Sequence, residues 1–191
     1  MYIPVHAQPV LHHWTFYSPE RRVRGAVGGC GSSACRRRAN RSAVAANPQF
    51  NRDILPASLA SHGVAYEHCP ALGGLREKQP GISPDINSFW KNRGFHNYAD
   101  YALSEEFRSG LVTLRALGHA ALASVMCAES LWWRCHRRII ADYLIVAGEE
   151  VFHILGEGHI EPARLTPEAR VERDGRLTYP TDSQLRFHLG P

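Results

Sequence analysis

Residues 121–148 read ALASVMCAESLWWRCHRRIIADYLIVAG, and their reading decides the fold class. The apolar run Ala121 to Met126 is short enough for a strand buried on both faces. It breaks at Cys127-Ala128-Glu129-Ser130. Beyond the break, Trp132, Cys135, Ile139, Ile140, Tyr143 and Ala147 recur at three- and four-residue steps, which predicts a helix. Ser130 is its candidate N-cap and Gly148 its stop. In open α/β sheets, ligands collect where a strand ends and a helix begins. This junction carries Cys127, Glu129, Arg134, Cys135, His136, Arg137 and Arg138, so a functional site is expected here.

Working outward, Glu150 to Leu155 reads as the next strand, and a small hairpin is expected at 171–179 across Asp174-Gly175. Upstream, Glu105 to Leu117 reads as a helix capped by Ser104 and closed by Gly118, and Phe95 to Leu103 as another. Ile54 to Gly63 has helical spacing and leads into a strand at Val64 to His68. Pro70 to Pro84 is loop, and Trp14 to Tyr17 is a candidate first strand. Strands alternating with helices predict a single three-layer α/β domain: a mainly parallel sheet with helices on both faces and a pocket at the strand C-terminal edge. The organisation read this way is an irregular, disordered or frameshifted segment at 1–46, the α/β domain at 47–180, and a tail at 181–191.

The length of 191 residues suits one domain with a sizeable core. No apolar run reaches membrane-spanning length, so no membrane partner is expected, and the first residues lack the pattern of a signal peptide. Five unevenly spaced cysteines speak against a disulfide framework and for the reducing cytoplasm. The formal charge of +4 traces to Arg21–Arg41, which holds seven arginines and no acid. Such a run either is solvated or neutralises phosphates non-specifically, so a nucleic-acid partner is left open.

The chemistry at the junction has several readings. Cys127, at a strand end facing a helix N-terminus, is placed to be a thiolate nucleophile, with Glu129 or His136 as base; the alternative is a buried structural thiol. Thiol phosphatases place an arginine after five residues, whereas Arg134 follows Cys127 after six. Arg134, Arg137 and first-turn amides form a candidate anion site, unless the arginines are a solvated helix face. His68 closes a strand at the same expected sheet edge. Tyr98 and Tyr101 read as core, and Trp132 and Trp133 as packing or as a pocket wall. A zinc ion would draw on His68, Cys127, Cys135 and His136. On one helix, however, adjacent Cys135 and His136 diverge by roughly 100°, so no metal and no cofactor is assigned.

From Asn47 to about residue 180 the chain resembles the bacterial domain-of-unknown-function family 488 (DUF 488). The matching pieces are Asn47-Pro48-Gln49-Phe50, His68 to Gly74 (HCPALGG), Phe95 to Tyr101 (FHNYADY), Cys127-Ala128-Glu129, Trp133 to Arg137 (WRCHR), His153-Ile154-Leu155, Glu161-Pro162 and Leu165-Thr166-Pro167. The family has no established biochemical activity, so the resemblance implies a fold and a pocket rather than a reaction.

Upstream, family-like sequence begins at Trp14-Thr15 and then fails. Codons for Arg36 to Ala46 can be read one frame over as V-A-D-V-R-T-V-P-R-S-R, which resembles the family's missing strand and loop. Compensating frameshifts near residues 17–22 and 46 are therefore expected, in the gene or in its sequencing. The functional expectation is an enzyme-like pocket for a small anionic or nucleotide-like ligand. Cys127 and Glu129 would be its reactive groups, and His68, Arg134, Cys135, His136 and Arg137 its binding groups. The alternatives are a non-catalytic nucleic-acid or nucleotide binding protein, and an inactive frameshifted family member.

Overall fold

The computed structural model describes residues 14–18, 28–31, 54–127, 129, 131–156 and 159–181, the first two stretches by their backbone alone. The readings of residues 1–13, of Asn47 to Phe50, of Ser130 as a cap and of residues 182–191 lie outside them, as does most of 18–46.

Six strands form one sheet in the order β3-β2-β4-β1-β5-β6. They are β1 (Trp14–Ser18), β2 (Gly28–Gly31), β3 (Tyr66–Glu67), β4 (Ala123–Met126), β5 (Glu150–Gly156) and β6 (His159–Pro162). The helices are α1 (Leu55–Ala60), α2 (Arg93–Tyr101), α3 (Glu105–Ala120) and α4 (Arg137–Val146). A separate two-stranded antiparallel pair joins β7 (Arg170–Val171) to β8 (Leu177–Thr178) across Gly175, where φ is +80°. The expected hairpin is there.

The expectation of a mainly parallel three-layer sheet is overturned. β1 pairs antiparallel with both β4 and β5, and β6 antiparallel with β5; parallel pairing is confined to β2 with β3 and β4. The alternation β4–α4–β5 was read correctly as two strands running the same way. An earlier strand of opposite sense, β1, lies between them, and periodicity carries no record of that insertion. Of the helices, α3 and α4 pack on each other and both reach β1. The stretch 18–46, read as unable to fold, supplies β2 to the interior of the sheet.

Local signals held better. In β4, Ala123, Ser124 and Val125 are buried, as the apolar run requires. Ser104 caps α3 by accepting the Phe107 amide at 3.2 Å, though the helix continues past Gly118 to Ala120. Gly148 stops α4 at φ +83°, with Glu149 N–H returning to Leu144 O at 3.0 Å.

The core joins Leu72, Tyr98, Phe107, Leu114, Ile139, Ile140 and Leu144 to Leu177 and Tyr179 of the C-terminal segment. Buried polar groups lace that segment in. Asp142 accepts from the Thr166 amide (2.8 Å) and the Tyr179 hydroxyl (3.0 Å). Asn87 accepts from the Tyr179 amide (3.1 Å) and donates to Asp100 (2.8 Å). The Tyr143 hydroxyl accepts from Leu177 N–H and donates to Ala102 O, both at 3.0 Å. Burial raises the Asp142 carboxyl above its ordinary value, and these donors counter it.

Candidate functional site

After β4 the chain does not enter a helix. Trp132–Arg134 is a single 3-10 turn, Cys135 is extended at φ −123° and ψ 147°, and α4 starts only at Arg137, behind His136. Cys135 and His136 therefore do not occupy successive helical positions, and the expected divergence of their side chains is wrong. His136 Nδ1 lies 3.4 Å from Cys135 Sγ and 3.9 Å from Cys127 Sγ.

The turn from Cys127 to Arg137 is held by its own groups. Glu129 N–H donates to Cys127 Sγ at 3.4 Å, and the Glu129 carboxylate accepts the Leu131 amide at 3.1 Å. Arg137 is fully buried; its Nη2 donates to Glu129 O at 2.6 Å and its Nε to Cys135 Sγ at 3.2 Å. Arg138 Nε donates to Thr166 Oγ1 at 3.2 Å, and its guanidinium lies 4.9 Å from the Trp90 ring centre. The arginines thus do not make a solvated helix face. Arg134 alone of the three is exposed and reaches the pocket.

A pocket of about 190 Å³ opens over this turn. It is smaller than the usual ligand cleft of about 300–1,000 Å³ and opens to solvent. Cys127, Glu129, Arg134, Cys135 and His136 are among the residues that line it. Gly74, which lies against the His136 ring, and Leu75, and then Asn92, Gly94 and Phe95 at the start of α2, complete the lining. Two expected members are not in the lining: Arg137 lies behind it, and His68 follows β3, which β2 separates from β4. Sequence reasoning did not single out the five lining residues from Gly74 to Phe95 as site residues. Gly74 and Phe95 fall in the family-like strings HCPALGG and FHNYADY, which was the available signal.

The stretch that carries Gly74 and Leu75 is pinned by α2 on both sides of them. The hydroxyl of Tyr98 donates to Leu72 O at 2.9 Å, that of Tyr101 to Ala71 O at 2.7 Å, and Asn97 Nδ2 to Arg76 O at 3.0 Å. Asn92 caps the same helix by accepting the Gly94 amide at 2.8 Å. Tyr98 also packs on the His136 ring, with centres 4.9 Å apart.

The two thiols share a hydrogen bond that divides their acidities. It pushes the Cys127 thiol up, and burial adds to the rise. At Cys135 burial works against ionisation, but the Cys127 hydrogen bond, the His136 ring and the Arg137 guanidinium outweigh it and favour the thiolate. Nearby, Trp132 stacks on buried His153 with ring centres 3.8 Å apart, and Trp133 is exposed.

A mixed-sheet α/β domain with a Cys/Glu/His/Arg pocket at the end of its central strand is the class that fold and site define. The sequence model of the family described as Domain of unknown function DUF488 matches residues 37–144, and the chain belongs to that family. No curated protein and no solved structure matches it. Among the described residues no helix is long and apolar enough to cross a membrane.

Proposed function

We propose that this chain takes a small anionic or nucleotide-like ligand into the pocket and acts on it as an enzyme of the bacterial cytoplasm. Arg134 meets the anion, and Cys127 and Glu129 are the reactive groups, with the Cys127 thiol holding the proton beside the Cys135 thiolate. The observation that carries this reading is convergence: Cys127, Glu129, Arg134, Cys135 and His136 all line one pocket. Its size favours a phosphate or a small acid, with any larger part of the ligand outside. Free thiols at Cys69, Cys127 and Cys135 suit a reducing compartment.

The non-catalytic nucleic-acid reading loses support, because Arg137 and Arg138 are engaged in the interior. Calorimetric titration with inorganic phosphate and with adenosine monophosphate tests the proposal. Arg134→Gln is expected to weaken the tighter binder about tenfold, near 1.4 kcal/mol. Glu129→Gln should leave binding within about threefold and abolish turnover of whatever phosphate or carboxylate ester the parent cleaves. Affinity unchanged in Arg134→Gln would sink the anion reading.

A further inference from the structure

We infer that Cys127 Sγ, Cys135 Sγ and His136 Nδ1 are three ligands of a zinc ion whose fourth position faces the pocket. The three atoms lie within 4.8 Å of one another. Zinc–sulfur bonds of about 2.3 Å and zinc–nitrogen bonds of about 2.0–2.1 Å, at tetrahedral angles, set sulfur and nitrogen about 3.6 Å apart. The two sulfur–nitrogen separations here are 3.4 and 3.9 Å, one on each side of that value. Two sulfurs and one imidazole also match the borderline-soft preference of zinc over calcium, magnesium or manganese.

The two sulfurs have the surroundings of a built site, while the buried Nε2 of His136 has no hydrogen-bond partner among the described residues. Each sulfur already receives an N–H donor, from Glu129 to Cys127 and from Arg137 to Cys135, which is how outer groups orient and temper metal thiolates. The imidazole is held by Tyr98 on one side. On another, Gly74 leaves open the space beside Nδ1 that a Cβ would fill. Three protein ligands beside an open pocket make the arrangement of a reactive zinc site rather than a closed structural one.

The ion deepens the preceding reading and rests on it only for what then enters the pocket. Cys127 acts through the metal that it holds, zinc polarises the bound anion or water, and Glu129 is the carboxylate beside it.

Reduced protein purified without chelator is expected to hold about one zinc per chain. Cobalt added to the metal-stripped chain should give the thiolate-to-metal bands and strong visible bands of a tetrahedral ion. Cys127→Ser and His136→Gln should each weaken metal binding at least about tenfold, while Cys69→Ala, at a buried thiol outside the cluster, should bind as the parent does. Uptake below about a tenth of an equivalent would overturn the site. A cobalt spectrum without thiolate bands, or affinity unchanged in Cys127→Ser, would do the same. Phosphate binding in a chain that takes up no metal removes the ion alone. Zinc binding without anion binding removes the anion reading and leaves the ion.

Discussion

Gly74 and His136 meet where a side chain on the glycine would have to go: an ideal Cβ on Gly74 falls 2.6 Å from His136 Cε1. The ring cannot simply retreat, because Tyr98 packs against it. Gly74→Ala is therefore expected to lower stability by about 1–3 kcal/mol through overpacking and to turn His136 away from the sulfurs. Urea denaturation and metal affinity should both report it. A loss under about 0.5 kcal/mol with affinity intact would mean that the ring has room to spare.

Arg137 spans Glu129 O and Cys135 Sγ with one planar group. A lysine carries the charge but cannot present two donors in that fixed fork. Arg137→Lys should cost about 3 kcal/mol, the scale of a buried charge deprived of its partners. Arg134→Lys, at the exposed rim, should change stability by less than about 0.5 kcal/mol. Equal effects at the two positions would show that the buried fork does not hold the turn.

His153 is buried against Trp132, and its pKa falls to about 4, through burial first and then the charges of Arg137 and Arg138. A base whose folded pKa lies below its unfolded value of about 6.5 adds stability above that value and loses it as pH falls. Folding stability should therefore decline on acidification from about pH 6.5 towards about 4. His153→Phe, which keeps a ring on Trp132, should flatten that part of the profile. The imidazole resonance should titrate near 4 in the native protein; a midpoint near 6.5 would reject the assignment.

β2 reads Gly-Gly-Cys-Gly and runs between β3 and β4. Glycines bring an interior strand almost no side chain to pack, at an entropic cost. We propose that the natural frame reads V-A-D-V-R-T-V-P-R-S-R where this chain has Arg36 to Ala46, positions outside the described residues. Sequencing the gene across the codons for residues 14–50 is expected to find that frame. The repaired chain should melt at least about 5 °C higher. Confirmation of the present frame would end the idea and make the Arg21–Arg41 run a genuine basic segment.

What could be read from sequence was local. The strand before Cys127, the Ser104 cap and the Gly148 stop each depend on neighbours within a turn or two, and each stands in the structure. The antiparallel placement of β1 depends on partners more than a hundred residues away, at Ala123–Val125 and Glu150–Ile154, which no local period records. At the site, residue types were legible and geometry was not. One 3-10 turn moves the helix start to Arg137, and that shift makes Cys135 and His136 converge instead of diverge. Tyr98 and Tyr101 were read as core, which they are, but their hydroxyls also fix the turn at Ala71 and Leu72 that leads to Gly74.

The lacing of the C-terminal segment into the core bears on how the chain is made. Asn87, Asp142 and Tyr143 find their buried partners at Thr166, Leu177 and Tyr179. During synthesis those groups stay unmatched until residue 179 has cleared the ribosome. The core therefore closes only once the segment through Tyr179 has emerged and docked, late in the order in which the described residues are made. Until then the pocket residues, all between 74 and 136, are carried on a domain whose interior is still open.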